Sequence, residues 1–197
     1  MKTLIKKSLG RVLIEIGNTL PGAKVILKPF GMRMPEGSGD LPVRVQTPDR
    51  QTLMLTNINN NYLSFQVFWK GTAYYEPITT SVILSLFHPG TIFVDVGANI
   101  GFFSLMVSLY KPGADVVAFE PNPKNFKILS QNVAANGFER IRCEPAAVSN
   151  ATGTANLYLS KSDMSASLRQ DFQRTSNPVP ECVQVATVSL DDYLLKH

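Results

Sequence analysis

Two carboxylates and two glycines are the residues of this sequence best placed to do chemistry. Asp95 stands two places before Gly97 in FVDVGANIGFFS (93–104), where an apolar run meets two glycines and then turns apolar again. Glu120 closes the next apolar run, DVVAFE (115–120). A glycine-bearing turn from a buried strand into a helix lets a ligand approach the backbone with no side chain in the way, at the positive end of the helix dipole. Gly97 can take a positive φ, and Gly101 lets the helix pack closely on the strand. An acid at the end of the second strand can accept hydrogen bonds from both hydroxyls of an adenosine ribose.

Two classes of cofactor carry that ribose, and the turn separates them. The dinucleotide fingerprint is G-x-G-x-x-G, whereas this chain reads Gly97-Ala98-Asn99-Ile100-Gly101, with asparagine at the second glycine position. A pyrophosphate would be repelled by Asp95. S-adenosylmethionine (SAM) has no phosphate and presents a sulfonium and an ammonium group, which a carboxylate suits. The residues therefore favour SAM over NAD. The simpler reading of Asp95, a strand-end acid with no ligand, is a costly choice beside Phe93, Val94 and Val96. For Glu120 the simpler reading is an acid that helps cap the following helix.

These residues need a scaffold, and the pattern supplies one. TIFVDV (91–96) reads as a strand buried on both faces, and FFSLMVSLY (102–110) as its helix, ended by Lys111-Pro112-Gly113. DVVAFE is the second strand. Asn122 offers an N-cap with Pro123 at the first helical position, Phe126, Leu129 and Val133 give the inward stripe, and Asn136-Gly137 supplies a left-handed stop. RIRCEPAAVS (140–149) is a third strand, bent at Pro145. The alternation predicts parallel strands in spatial order third, second, first. The fold class is α/β: a Rossmann-like, doubly wound, mainly parallel sheet, incomplete in this chain, preceded by an N-terminal helix and short β-strands.

Outside that core the signals are coarser. Residues 43–70 read as short strands around NINNN (57–61), with alternation in Leu63, Phe65 and Val67, and 76–90 as a helix of three turns stopped by Pro89-Gly90. TANLYLS (154–160) and VQVATVS (183–189) read as strands flanking a polar stretch, 161–181, that is too long for an ordinary connection. It is a mobile lid or a disordered loop, with nothing to choose between them. Ser189 caps LDDYLLKH, where Asp191 and Asp192 match the helix dipole in preference to serving as a base. The divisions expected are 1–42, a basic helical arm and connector; 43–90, a strand and helix lead-in; and 91–197, the SAM-binding domain.

Composition bounds the partners. The chain has 197 residues, 44% hydrophobic and 17% charged, and a net charge of +4. Lys2, Lys6, Lys7, Arg11, Lys24, Lys28 and Arg33 stand against Glu15 alone before residue 34, so the rest is slightly acidic and offers no nucleic-acid-binding face. Ile5, Leu9, Val12, Ile16 and Leu20 repeat at helical spacing and read as a helix packed on its own domain; contact with a membrane surface is the lesser alternative. No stretch approaches the ~20 apolar residues of a membrane span. Cys143 and Cys182 lack any pairing rhythm, and two histidines make no metal site, which fits free thiols in a cytoplasmic protein.

The stretch from YYEPITTSVILSLFHPG (74–90) through FVDVGANIGFFS and AFEPNP to the closing VSLDDYL resembles the FkbM family of SAM-dependent methyltransferases. The resemblance implies that Asp95, Gly97, Ala98, Asn99 and Gly101 surround the methionine portion of SAM. It implies that Glu120 holds the ribose, with Pro121 and Asn122 beside it, and that the segment at Ala146 and Ala147 lies near the adenine. Tyr75, Glu76 and Thr79 would close one side of the pocket. The implied activity is O-methylation of a hydroxyl on a sugar or secondary metabolite. The resemblance assigns no general base. In the family a further strand with a D-x-E-G-type motif follows the segment like LDDYL, so the chain is expected to be the N-terminal part of a longer enzyme. Two alternatives stand beside this reading: an NAD(P)-dependent oxidoreductase, and a non-catalytic remnant that binds SAM.

Overall fold

The computed structural model describes residues 41–58, 61–88, 90–159, 166–169 and 181–196. The expected N-terminal helix, nearly all of the connector and most of the 161–181 stretch lie outside these. The chain divides into two compact units, Met1–Thr79 and Thr80–His197.

In the first unit β1 (Val43–Gln46) and β2 (Thr52–Leu55) form an antiparallel hairpin, with Val43 opposite Leu55 and Val45 opposite Leu53. All four of these side chains are buried. The hairpin turns at Thr47–Gln51, where Arg50 adopts a left-handed φ of 67°. The strands expected beyond 57–61 are instead a helix, α1 (Tyr62–Lys70). Asn61 caps it, its side-chain oxygen accepting the Ser64 N–H at 3.0 Å. Leu63, Ser64, Val67 and Phe68 are its buried face. The alternation that suggested a strand contains the pair Leu63–Val67, four apart, which serves a helix equally well, and the cap decides between the two. A helix, α2 (Pro77–Leu86), runs across the boundary and ends three residues before Pro89.

The second unit holds the parallel sheet. β3 (Ile92–Val96) pairs with β4 (Asp115–Phe119), and β4 pairs with β5 (Ile141–Glu144), all parallel, in the order β3-β4-β5. α3 (Phe102–Tyr110) and α4 (Pro123–Asn136) make the two crossovers. This is the Rossmann-like βαβαβ arrangement in the expected spatial order. Asn122 caps α4 by accepting the Lys124 N–H at 3.0 Å, with Pro123 in the first turn. Gly137, at φ 65°, stops the helix in the left-handed region. The buried stripe of α4 is Asn125, Ile128, Leu129 and Asn132, shifted from the expected Phe126, Leu129 and Val133 so that two asparagines face inward.

Two expectations are corrected here. β3 is not buried on both faces: Ile92 and Val96 are about half exposed, since among the described residues only β4 pairs with it. The third strand does not merely bend at Pro145 but ends before it. β6 (Ala146–Val148) joins a second sheet, ordered β6-β9-β7-β8, with β7 (Gly153–Leu159), β8 (Ala166–Ser167) and β9 (Glu181–Val188). Proline brings no N–H to a ladder, so the break falls where pairing would lapse anyway. β6 runs parallel to β9, while β7 is antiparallel to both its neighbours. The last helix, α5 (Leu190–Leu194), is capped by Ser189 and packs Tyr193 edge-on against Phe119 at 5.0 Å. Among the described residues no helix is long and apolar enough to cross a membrane.

Candidate functional site

The turn after β3 is built from alternating left-handed residues: Gly97 at φ 76°, Asn99 at 54° and Gly101 at 83°. The Phe119 carbonyl, at the end of β4, accepts the N–H of both Gly97 and Ala98 at 2.9 Å. The turn is thereby fixed to the neighbouring strand. The two glycines serve different needs. A Cβ at Gly97 would meet nothing within 4 Å, so only its φ and the open approach favour glycine. A Cβ at Gly101 would come within 2.5 Å of Leu129 Cδ1, so this glycine lets α4 close on the turn.

Asp95 is buried, and its Oδ2 accepts both the Ser104 hydroxyl at 2.6 Å and the Ser104 N–H at 3.2 Å. Burial raises its pKa, opposed by those two bonds. Glu120 is also buried and joins two segments. Oε2 accepts the Asn99 N–H at 2.7 Å, and Oε1 accepts the Asn122 N–H at 2.8 Å. Burial raises its pKa too, with the negative charge of Asp95 adding to the effect against the two amide bonds. An ionised carboxylate offers about four acceptor positions, so both acids retain capacity for a ligand.

The expected residues separate into groups. Asp95, Gly97, Ala98, Asn99, Gly101, Glu120 and Asn122 are drawn together by these bonds, with Pro121 between Glu120 and the cap. Asn99 adds a buried side-chain oxygen that accepts no hydrogen bond. Ala147 instead buries its side chain among Leu157, Leu159 and Val185 of the second sheet. β5 does reach the site, since the Glu144 carbonyl accepts the Glu120 N–H at 3.0 Å. Glu76, Tyr75 and Thr79 belong to the first unit; Glu76 and Thr79 are exposed, and Glu76 has a φ of 41°. Asp192 lies in the first turn of α5, its N–H bonded to the Ser189 cap, and its carboxyl is held below the ordinary value by hydrogen bonds from the hydroxyls of Thr152 and Ser189. Cys143 and Cys182 are free, and burial, aided by Glu144, pushes Cys143 up to about 11, away from thiolate chemistry at neutral pH.

Two supporting residues escaped sequence reasoning. Ser104 is fully buried in a first helical turn that is otherwise apolar, and that isolation was its only signal. Asn132, also fully buried, donates from Nδ2 to the Ile100 carbonyl at 2.9 Å and holds the turn from the α4 side. Its signal was the spacing of seven from Asn125 along one helix face.

Chemically, the turn gathers two desolvated carboxylates and an orphan amide oxygen. Such a group of acceptors favours a cationic ligand rich in donors and disfavours phosphate.

The family model described as the methyltransferase FkbM domain matches residues 95–197. Methyltransferase sdnD of Sordaria araneosa is 41% identical over 68 residues, which is 32% of this chain and 25% of that protein. The 31-O-demethyl-FK506 methyltransferase FkbM of Streptomyces tacrolimicus is 41% identical over 69 residues, 35% of this chain and 26% of that protein. The matches thus span about a quarter of the length of these curated relatives. Among solved structures, Pyrococcus horikoshii TYW2 in complex with MeSAdo aligns at 19% identity over 63% of this chain and 46% of that one, with a TM-score of 0.42.

Proposed function

The chain belongs to the FkbM methyltransferase domain family, and from that premise we propose that it binds SAM at the turn after β3 and serves O-methylation of a hydroxyl on a sugar or secondary metabolite. The observation that carries this reading is the pair of buried acids, Asp95 and Glu120, on one glycine turn. Both pKa values are raised by burial, so the site is under-compensated for negative charge, and a sulfonium or ammonium would relieve that. The orphan Asn99 oxygen and the open space above Gly97 fit a ligand that brings donors close to the backbone. An asparagine with a positive φ also stands where a dinucleotide site has its second glycine, which weighs against NAD.

In this reading Asp95, Gly97, Ala98, Asn99 and Gly101 hold the methionine portion, and Glu120 the ribose, beside Pro121 and Asn122. The backbone near Ala147 would border the adenine. SAM supplies an activated methyl group, so the protein's task is to align the acceptor oxygen with it and exclude water. Glu120 fixes the turn on which this alignment depends. Asp95 holds a negative charge at the strand end.

The test is transfer of a labelled methyl group from SAM to a panel of sugar and polyketide hydroxyls. Labelled ether formed by the protein, and absent with Asp95→Ala, is the expected result. Intact SAM binding with transfer to no acceptor would favour a non-catalytic binding role instead.

A further inference from the structure

The two bonds that Ser104 makes to Asp95 both end on one oxygen. The hydroxyl at 2.6 Å and the amide at 3.2 Å meet Oδ2, while Oδ1 accepts no hydrogen bond among the described residues. The two oxygens of a carboxylate diverge, so pinning Oδ2 to the start of α3 turns Oδ1 away from that helix. Ser104 is fully buried, so its hydroxyl has no solvent to compete for it. A rotatable buried hydroxyl is costly unless bonded, and here its bond is to the acid of the proposed site.

We propose that Ser104 is the positioning residue of the SAM site: by holding Oδ2 it presents Oδ1 of Asp95 to the cationic part of the cofactor. The inference rests on the SAM reading above. The charged neighbour of Asp95 is Glu120, delivered from the end of β4, whose own ionisation the charge of Asp95 opposes; α3 brings no charged side chain. Removing the hydroxyl leaves desolvation less opposed. Asp95 then holds its proton to higher pH, and cation binding weakens most where that proton stays on.

The same helix provides a matched control. Ser108, one turn further along, is buried and its hydroxyl has no partner, so Ser108→Ala deletes a buried hydroxyl without touching Asp95. SAM affinity is measured by titration calorimetry from about pH 5 to 9 for wild type, Ser104→Ala and Ser108→Ala, a span covering raised carboxylates. Ligand-free urea stability is followed over the same range. Ser104→Ala is expected to bind SAM more weakly, by up to about tenfold at the acid end of the range for one unit of pKa, with the deficit shrinking as pH rises. Its ligand-free stability should also go on declining with pH to a higher value than wild type. Ser108→Ala should match wild type in both pH profiles.

Wild-type binding with an unchanged Ser104→Ala profile would overturn the inference while leaving the SAM reading intact. An equal loss of affinity at every pH, with no shift in either profile, would reduce Ser104 to a packing role and also overturn it. Failure of the wild type to bind SAM would overturn both.

Discussion

The carboxylate of Glu120 accepts the backbone N–H of Asn99 at 2.7 Å, joining the end of β4 to the glycine turn across 21 positions of sequence. Its other oxygen takes the Asn122 N–H at 2.8 Å, so one side chain holds both the turn and the start of α4. A residue expected to meet a ribose, with capping of the following helix as the simpler reading, is therefore also a structural joint. Glu120→Ala should cost about 1–3 kcal/mol of stability, two charge-assisted bonds offset by relief of the carboxylate's desolvation. Urea denaturation checks this. A variant as stable as wild type would mean that the two amides find other partners.

The two glycines should fail in different ways. Gly101→Ala adds a methyl against buried Leu129 at a left-handed φ and should cost about 2–4 kcal/mol, strain and overpacking together. Gly97→Ala meets open space and should cost only about 1–2 kcal/mol, from backbone strain alone. SAM affinity should suffer in the Gly97 variant beyond its change in stability. Thermal unfolding and SAM titration on both variants separate the two roles.

The parallel core could be read because its signals are local: an apolar run, a glycine turn, then Asn122-Pro123 to open one helix and Gly137 to close it. For Gly101 the expectation is close packing of its own helix on the strand, whereas its tight neighbour is Leu129 of α4. The helix at Tyr62–Lys70 is not legible because the pair Leu63 and Val67 satisfies both periods, and its cap Asn61 falls within the turn-like NINNN. Ser104 and Asn132 were missed for another reason. Their partners, Asp95 and the Ile100 carbonyl, lie 9 and 32 residues away, and only the packed fold brings them into reach. The change of sheet at Pro145 likewise depends on β9, some forty residues later.

Stability and binding should respond to pH with opposite signs. Asp95 and Glu120 both have raised pKa values in the folded protein, so their contribution to stability is fully present below the unfolded-chain carboxylate range, about pH 4, and is lost as pH rises through their folded values. Binding of a cation needs them ionised, so SAM affinity should rise across the same window. Asp192, lowered by its hydrogen bonds, contributes in the other direction, and its share is lost only as pH falls through its lowered value. Urea midpoints for wild type and Asp95→Asn isolate the effect: the variant's decline with rising pH should be shallower.

Tyr193 connects the last helix to the turn. Its ring packs on Phe119, whose carbonyl holds Gly97 and Ala98, and its hydroxyl donates to Glu144 at 2.7 Å. Tyr193→Phe keeps the ring contact and should cost about 1 kcal/mol. Tyr193→Ala should cost about 3–4 kcal/mol and weaken SAM binding as well. Denaturation curves and SAM titration on the pair distinguish a lost hydrogen bond from a lost support.

Titration calorimetry with SAM and NAD in parallel decides which cofactor the two buried acids accept. SAM should bind, with affinity reduced in Asp95→Ala and Glu120→Ala, and NAD should give no heat above dilution. Saturable NAD binding with none for SAM would contradict the account, since it would mean that the turn accepts a pyrophosphate despite Asp95.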